Sequence, residues 1–178
     1  MSEATGSPVL SLSGICLETA TRMLTNLDHL LQKGADNAQA RGFDAQVLCQ
    51  SRLAPDMFPL SRQVQIACDT VKNGIARLAG QTPPRFDDTE TTIPELQARI
   101  RKTLDLVASH SPADLYGDLA REVTFPIGKD RTMSLSASDY LLTWMLPNLY
   151  FHVTTAYNIL RHNGVPVGKV DYLRGSQA

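Results

Sequence analysis

Over residues 8–33, Leu12, Cys16, Ala20, Met23, Leu27 and Leu30 recur at steps of three and four, the spacing that lines one face of a helix. Gly34 follows directly and is expected to end that helix in a left-handed turn. A short helical piece is expected after Asp44, through Val47 and Leu48, before Pro55 interrupts it. The next long helix is expected to start near Pro59, because a proline in the first turn lacks only an N–H that has no helical partner there. Leu60, Val64, Ala67, Val71, Ile75 and Leu78 give it an apolar stripe that ends at Gly80, and Pro83-Pro84 reads as loop.

Thr92 and Glu95 have the spacing of a reciprocal capping box and open a third long helix, whose stripe is Ile93, Leu96, Ile100, Leu104 and Val107. It is expected to finish before Pro112. From Glu122 the period changes to two. Val123, Phe125 and Ile127 alternate with polar residues, Gly128-Lys129-Asp130 makes a turn, and Met133 and Leu135 alternate again. That pattern predicts a β-hairpin. The last helix runs over residues 136–161 and stops at Asn163-Gly164, leaving an irregular surface tail after Val165. The whole is an all-α four-helix bundle with a short helical segment after the first helix and a small β-hairpin before the last. It is expected to form a single domain over residues 1–178.

Composition narrows the function classes. Hydrophobic residues make up 43% and charged residues 20%, so the chain can bury a core without staples. Seventeen basic side chains face eighteen acidic ones, which excludes a general grip on nucleic acid phosphates. Met1 to Pro8 lacks the basic start and apolar run of a secretory signal. Tyr140 to Phe151 is too short for a membrane span, which needs about 20 apolar residues. Cys16, Cys49 and Cys68 form an odd set without ligand-like spacing, and the expected compartment is the cytoplasm.

The candidate chemistry lies in polar residues on apolar faces. Along the last helix the inner stripe reads Leu141, Met145, Asn148, His152, Thr155 and Ile159. Asn148 and His152, four apart, project from one face beside Pro147, which frees the Thr143 carbonyl and predicts a kink or a widened turn. The simplest reading of an inward histidine is a satisfied core hydrogen-bonder; the alternative is a small polar pocket between helices. His29, His110 and His162 are expected near helix C-termini, where an imidazole interacts with terminal carbonyls.

No histidines stand four apart, so a metal would need ligands from several helices, with His152 joined by Gln65, Asp69 or Asp56. No hydrolase elbow, Walker loop or dinucleotide-binding glycine pattern is present. Cys16 and Cys68 lie on apolar stripes, where burial is the default. Trp144, Tyr140, Tyr150, Phe151 and Tyr157 crowd the last helix on more than one side, which suits core packing or an apolar face for self-association.

The run Asn148-Leu-Tyr-Phe-His-Val-Thr-Thr-Ala-Tyr-Asn-Ile-Leu-Arg-His-Asn-Gly-Val165 resembles the closing signature of a bacterial family of unknown function, number nineteen-ninety-three. The run Arg52-Leu-Ala-Pro-Asp-Met-Phe-Pro-Leu-Ser-Arg-Gln-Val-Gln65, continuing to Asp69, looks like its other hallmark. That family is similar to the DinB/YfiT-like superfamily of four-helix bundles, often dimers and often described as metalloenzymes. The resemblance implies the same fold. The superfamily's usual metal set is three histidines, two of them four apart on the last helix. His152 stands for one, whereas Ala156 holds the position four later and the second long helix offers Gln63 and Gln65.

The expected function is a homodimeric bundle with a small polar pocket at His152, Asn148, Gln65, Asp69 and Asp56, open to a small molecule. It binds no nucleic acid or membrane, and no cofactor is named. Three histidines not being met, no metal is expected, His152 being the one candidate ligand. The alternative is a divergent metal- or thiol-dependent transferase or isomerase.

Overall fold

Ser11 opens the first helix by accepting a hydrogen bond from the Gly14 amide at 3.0 Å, and α1 (Leu12–Arg41) then runs unbroken for 30 residues. It passes straight through Gly34, which corrects the stop expected there. Gly34 is buried, and a Cβ added to it would lie 3.0 Å from the Leu160 side chain and 3.5 Å from that of Leu48. Glycine inside a helix costs about 1 kcal/mol of propensity; here it lets the last helix approach closely. The real stop is Gly42, at φ 70°, after which the Phe43 amide donates back to the Ala38 carbonyl at 3.0 Å. His29 therefore lies inside α1 and not in its last turn.

The computed structural model describes residues 11–115 and 119–177. The short α2 (Gln46–Gln50) leads into a loop and then α3 (Leu60–Leu78), with Pro59 as its N-cap. In α4 (Ile93–Ala108) the capping box forms: the Glu95 amide donates to Thr92 Oγ1 at 3.4 Å, and the Glu95 carboxylate accepts from the Thr92 amide at 3.0 Å. Strands β1 (Glu122–Pro126) and β2 (Thr132–Ser136) pair antiparallel, with Val123 opposite Leu135 and Phe125 opposite Met133. The hairpin seats Phe125 in the core, its ring 4.9 Å from Tyr140 and 5.0 Å from Trp144.

Pro147 has the consequence its missing donor requires. Between α5 (Ala137–Asp139) and α6 (Leu146–His162) the helix widens into a π-helical turn, Tyr140–Met145, in which the Leu146 amide reaches back to the Leu141 carbonyl. The turn carries Met145 into the core, where its sulfur lies 4.0 Å from Cys16 Sγ.

Residue pairs fix the helix directions. Cys16 meets Met145 and Arg41 reaches the Asn163 carbonyl, so α1 and α6 run in the same sense. Gln63 meets His152 and Arg77 meets Tyr140, so α3 runs against α6. Gln97 meets Gln32, and Gln97 and Arg101 both act on Asp28, so α4 runs against α1. Two neighbouring helices that point the same way need a connection along the length of the bundle. Residues 81–91 supply it as an extended strap against α3 and α4.

The tail after Val165 is ordered, contrary to the irregular surface segment expected. Val165 and Val167 are buried, and α7 (Lys169–Arg174) packs on α1. Asp171 anchors it: its carboxylate accepts from Lys33 Nζ at 2.8 Å and from the Gly168 amide at 2.7 Å, and lies 3.1 Å from His29 Nε2. Burial alone would raise the Asp171 pKa, but Lys33, the Gly168 amide and His29 outweigh it and bring it down to about 2. No helix among the described residues is long and apolar enough to cross a membrane.

Candidate functional site

His152 sits half-buried on α6, facing the first turn of α3. Its Nδ1 lies 2.8 Å from Oε1 of the buried Gln63, whose own Nε2 donates to the Phe58 carbonyl at 3.1 Å. These two contacts settle the protons. A carbonyl can only accept, so the Gln63 amide nitrogen must point at Phe58 and its oxygen at His152. The imidazole must then carry its proton on Nδ1. Burial, reinforced by the nearby Arg62 guanidinium, lowers the His152 pKa to about 4. At neutral pH the ring is uncharged and its Nε2 keeps a lone pair.

That Nε2 has no hydrogen-bond partner among the described residues and is not one of the buried unpaired atoms. The ring of Phe151, which is 58% exposed, packs edge-on to the imidazole at 5.2 Å. The arrangement is a weak base held as a neutral hydrogen-bond acceptor beside one exposed phenyl ring.

The other expected site residues are distributed differently. Asn148 Nδ2 donates to the Trp144 carbonyl at 2.7 Å, so this amide is taken up by its own helix. Gln65 stands two residues from Gln63, about 200° around α3. It therefore faces the strap, donating to Glu90 at 3.1 Å and accepting from Arg62 at 3.2 Å. Asp69 lies on that side too, 2.8 Å from Arg99 and 3.3 Å from Lys72. Asp56 is exposed in the loop before α3 and bonds to none of the described residues. Thus His152 is joined to Gln63, while Gln65 and Asp69 belong to a second polar centre.

Arg99, almost wholly buried on α4, is the hub of that centre. Besides Asp69 it binds Asp88 at 2.9 Å, Glu90 at 3.0 Å and the Asp87 carbonyl at 2.9 Å. Arg62 also pairs with Asp88. Burial would lower the Arg99 pKa, but Glu90 and Asp69 outweigh it and raise it. Phe86, on the strap, lies beneath the cations of Lys102, Lys72 and Arg99 at 4.0, 4.9 and 5.6 Å. The contacts of Asp87, Asp88, Glu90 and Phe86 join strap to bundle, and Asp69–Arg99 ties α3 to α4, so the cluster is a fastener. The signal for it was an arginine on the apolar face of α4, three residues after Leu96, following an acidic run at Asp87, Asp88 and Glu90.

The thiols are not poised for chemistry. All three are buried, and burial pushes Cys16 and Cys68 up to about 12 and Cys49 up to about 11. The three-histidine metal set does not fit this chain either. A carboxamide at Gln63 occupies the Nδ1 side of His152, Ala156 carries no donor, and no group of three His, Cys, Asp or Glu among the described residues is placed to hold a metal.

The family described as Domain of unknown function (DUF1993) matches residues 12–173. A crystal structure of a DinB family member protein from Shewanella denitrificans is similar to this chain at 42% identity, with a TM-score of 0.84, covering 92% of this chain and 96% of that one. No match was found among curated proteins.

Proposed function

We propose, on the premise that this chain belongs to the family described as Domain of unknown function (DUF1993) and has the DinB/YfiT-like fold, that it is a non-catalytic binding bundle working as a homodimer. The observation that carries the reading is His152 itself: a neutral imidazole, oriented by Gln63, with an Nε2 unpaired among the described residues, beside the exposed Phe151 ring. Such a group accepts a hydrogen bond from a ligand hydroxyl or amide while the Phe151 ring holds its apolar part. The pocket this creates centres on His152 and Gln63.

The dimer is supported by where the exposed apolar side chains lie. Leu142, Tyr150 and Phe151 on and before α6, with Val47, Leu53 and Phe58 on α2 and the loop after it, are all more than a third exposed. Aromatic residues are enriched in interfaces between proteins. A second copy set against Phe151 would shelter the ring that one copy leaves open. Three free, buried cysteines fit a reducing compartment, the cytoplasm, and the mutual packing of α1, α3, α4 and α6 fits one domain.

A divergent metal- or thiol-dependent enzyme has weaker support. His152 at a pKa of about 4 is a poor general base at neutral pH, and the raised thiol pKa values remove a ready nucleophile. Sedimentation equilibrium on the full chain tests the assembly. A dimer is expected, with the F58S/F151S variant shifted to monomer. A wild type that stays monomeric at high concentration, or a variant that dimerises as tightly, contradicts the reading.

A further inference from the structure

A second place in the fold has the makings of a site and shares no residue with the first. The outer face of the first half of α1, the end of α4 and the last turn of the tail enclose a groove of about 700 Å³. Pockets for small organic ligands span about 300 to 1,000 Å³. Leu17 and Val107, both nearly buried, belong to its lining, and Leu173 adds an apolar wall that is 49% exposed.

The polar lining is unbalanced. Arg22 comes from α1 and Arg174 from α7, and neither guanidinium has a hydrogen-bond or ion-pair partner among the described residues. The one carboxylate on the lining, Glu18, stands a turn before Arg22 at the spacing that favours an ion pair, yet the two are not paired. By contrast, Arg99 binds three carboxylates and Arg62 binds Asp88. His110 also lines the groove, with Nδ1 occupied by the Leu106 carbonyl at 2.9 Å.

Two unpaired guanidiniums recruit an anion, because planar N–H forks match a carboxylate. The adjoining leucine and valine surface favours an apolar body on the same molecule. We propose that this groove binds an amphipathic organic anion, an acyl or aryl carboxylate whose charged head is taken by Arg22 and Arg174 and whose apolar part lies on Leu17, Val107 and Leu173. Asp171 and Asn26 help hold the tail against α1 at this groove, the latter through the Tyr172 carbonyl at 2.8 Å.

Octanoate, below its micelle concentration, is the probe. An amide chemical-shift titration of the full chain by NMR is expected to give saturable shifts at Ala108, Ser176 and their neighbours. The R22Q/R174Q variant is expected to weaken binding by about tenfold or more. Both side chains are exposed and bonded to none of the described residues, so the rest of the amide spectrum is expected to stay in place. K129Q/R131Q removes the same two charges at the hairpin turn and is expected to bind as wild type does. Octanol, with the same chain length and no charge, is expected to bind more weakly than octanoate. The proposal is overturned if no saturable shifts appear, if they cluster at Phe58 and Phe151, if octanol binds as tightly, or if R22Q/R174Q stays within about twofold of wild type.

Discussion

Met145 fills the space that a side chain on Gly74 would need. A Cβ built on Gly74 would overlap the Met145 sulfur and lie 2.9 Å from both its Cγ and its Cε. The π-helical turn aims Met145 at α3, and the glycine makes room for it, so the two features depend on each other. Gly74→Ala gains about 1 kcal/mol of helix propensity. Overpacking a filled core costs about 1–3 kcal/mol, and here it is expected to win. Chemical denaturation is expected to show a net loss of up to about 2 kcal/mol. In a Met145→Ala background the same change is expected to be neutral or stabilising, and a loss of equal size there would separate the two residues.

Arg99 is the residue whose removal is expected to harm the fold most. Replacing it by leucine leaves Asp69, Asp88 and Glu90 facing one another without their central cation. Breaking a buried ion cluster from one side costs about 3–5 kcal/mol. Arg99→Leu is therefore expected to lose stability on that scale, and limited proteolysis is expected to cut first within residues 81–91. A variant as stable and as resistant as wild type would mean that the strap is held by other contacts.

Asp171 and His152 make stability depend on pH in adjoining windows. Each favours the deprotonated form in the folded chain, so each contributes stability above its unfolded pKa and loses it as pH falls. For His152 the loss runs from about 6.5 down to about 4. For Asp171 it runs from about 4 down to about 2. Melting temperature is expected to fall through both windows, and Asp171→Asn is expected to flatten the lower one. The same variant is expected to speed hydrogen exchange at the Gly168 and Tyr172 amides, while the helices of the bundle keep their protection.

Gln63 and Ala156 occupy the places where the resemblance puts two further histidines. Gln63 already lies beside the His152 ring, and Ala156 follows one turn later on the same face of α6. The Q63H/A156H variant is expected to acquire stoichiometric zinc or nickel binding by calorimetry, and wild type is expected to show none. Tight binding by wild type would mean that the carboxamide is no obstacle.

The bundle itself was legible because its signals are local. Thr92 with Glu95, Pro59, the alternation around Phe125 and the break at Pro147 each act within a turn or two of themselves, and each produced the expected element. Gly34 misled because its role is decided by Leu160, which lies far along the chain. The tail misled for the same reason: Asp171 finds His29 and Lys33 across about 140 residues. At the candidate site, His152 was visible as an inward histidine, but its partner was not. Gln63 and Gln65 look alike in sequence, and only the rotational setting of α3 against α6 selects the first. Arg99 was hidden because a charged residue on an apolar stripe gains meaning only when its carboxylates arrive from a loop.

A pH titration of the His152 ring nitrogens by NMR tests the centre of this account. The expected result is a neutral ring down to a pKa of about 4, protonated on Nδ1 and bare on Nε2, and a raised pKa when Gln63 is replaced by glutamate. A pKa near the ordinary value of about 6.5, or a proton on Nε2 at neutral pH, would contradict it.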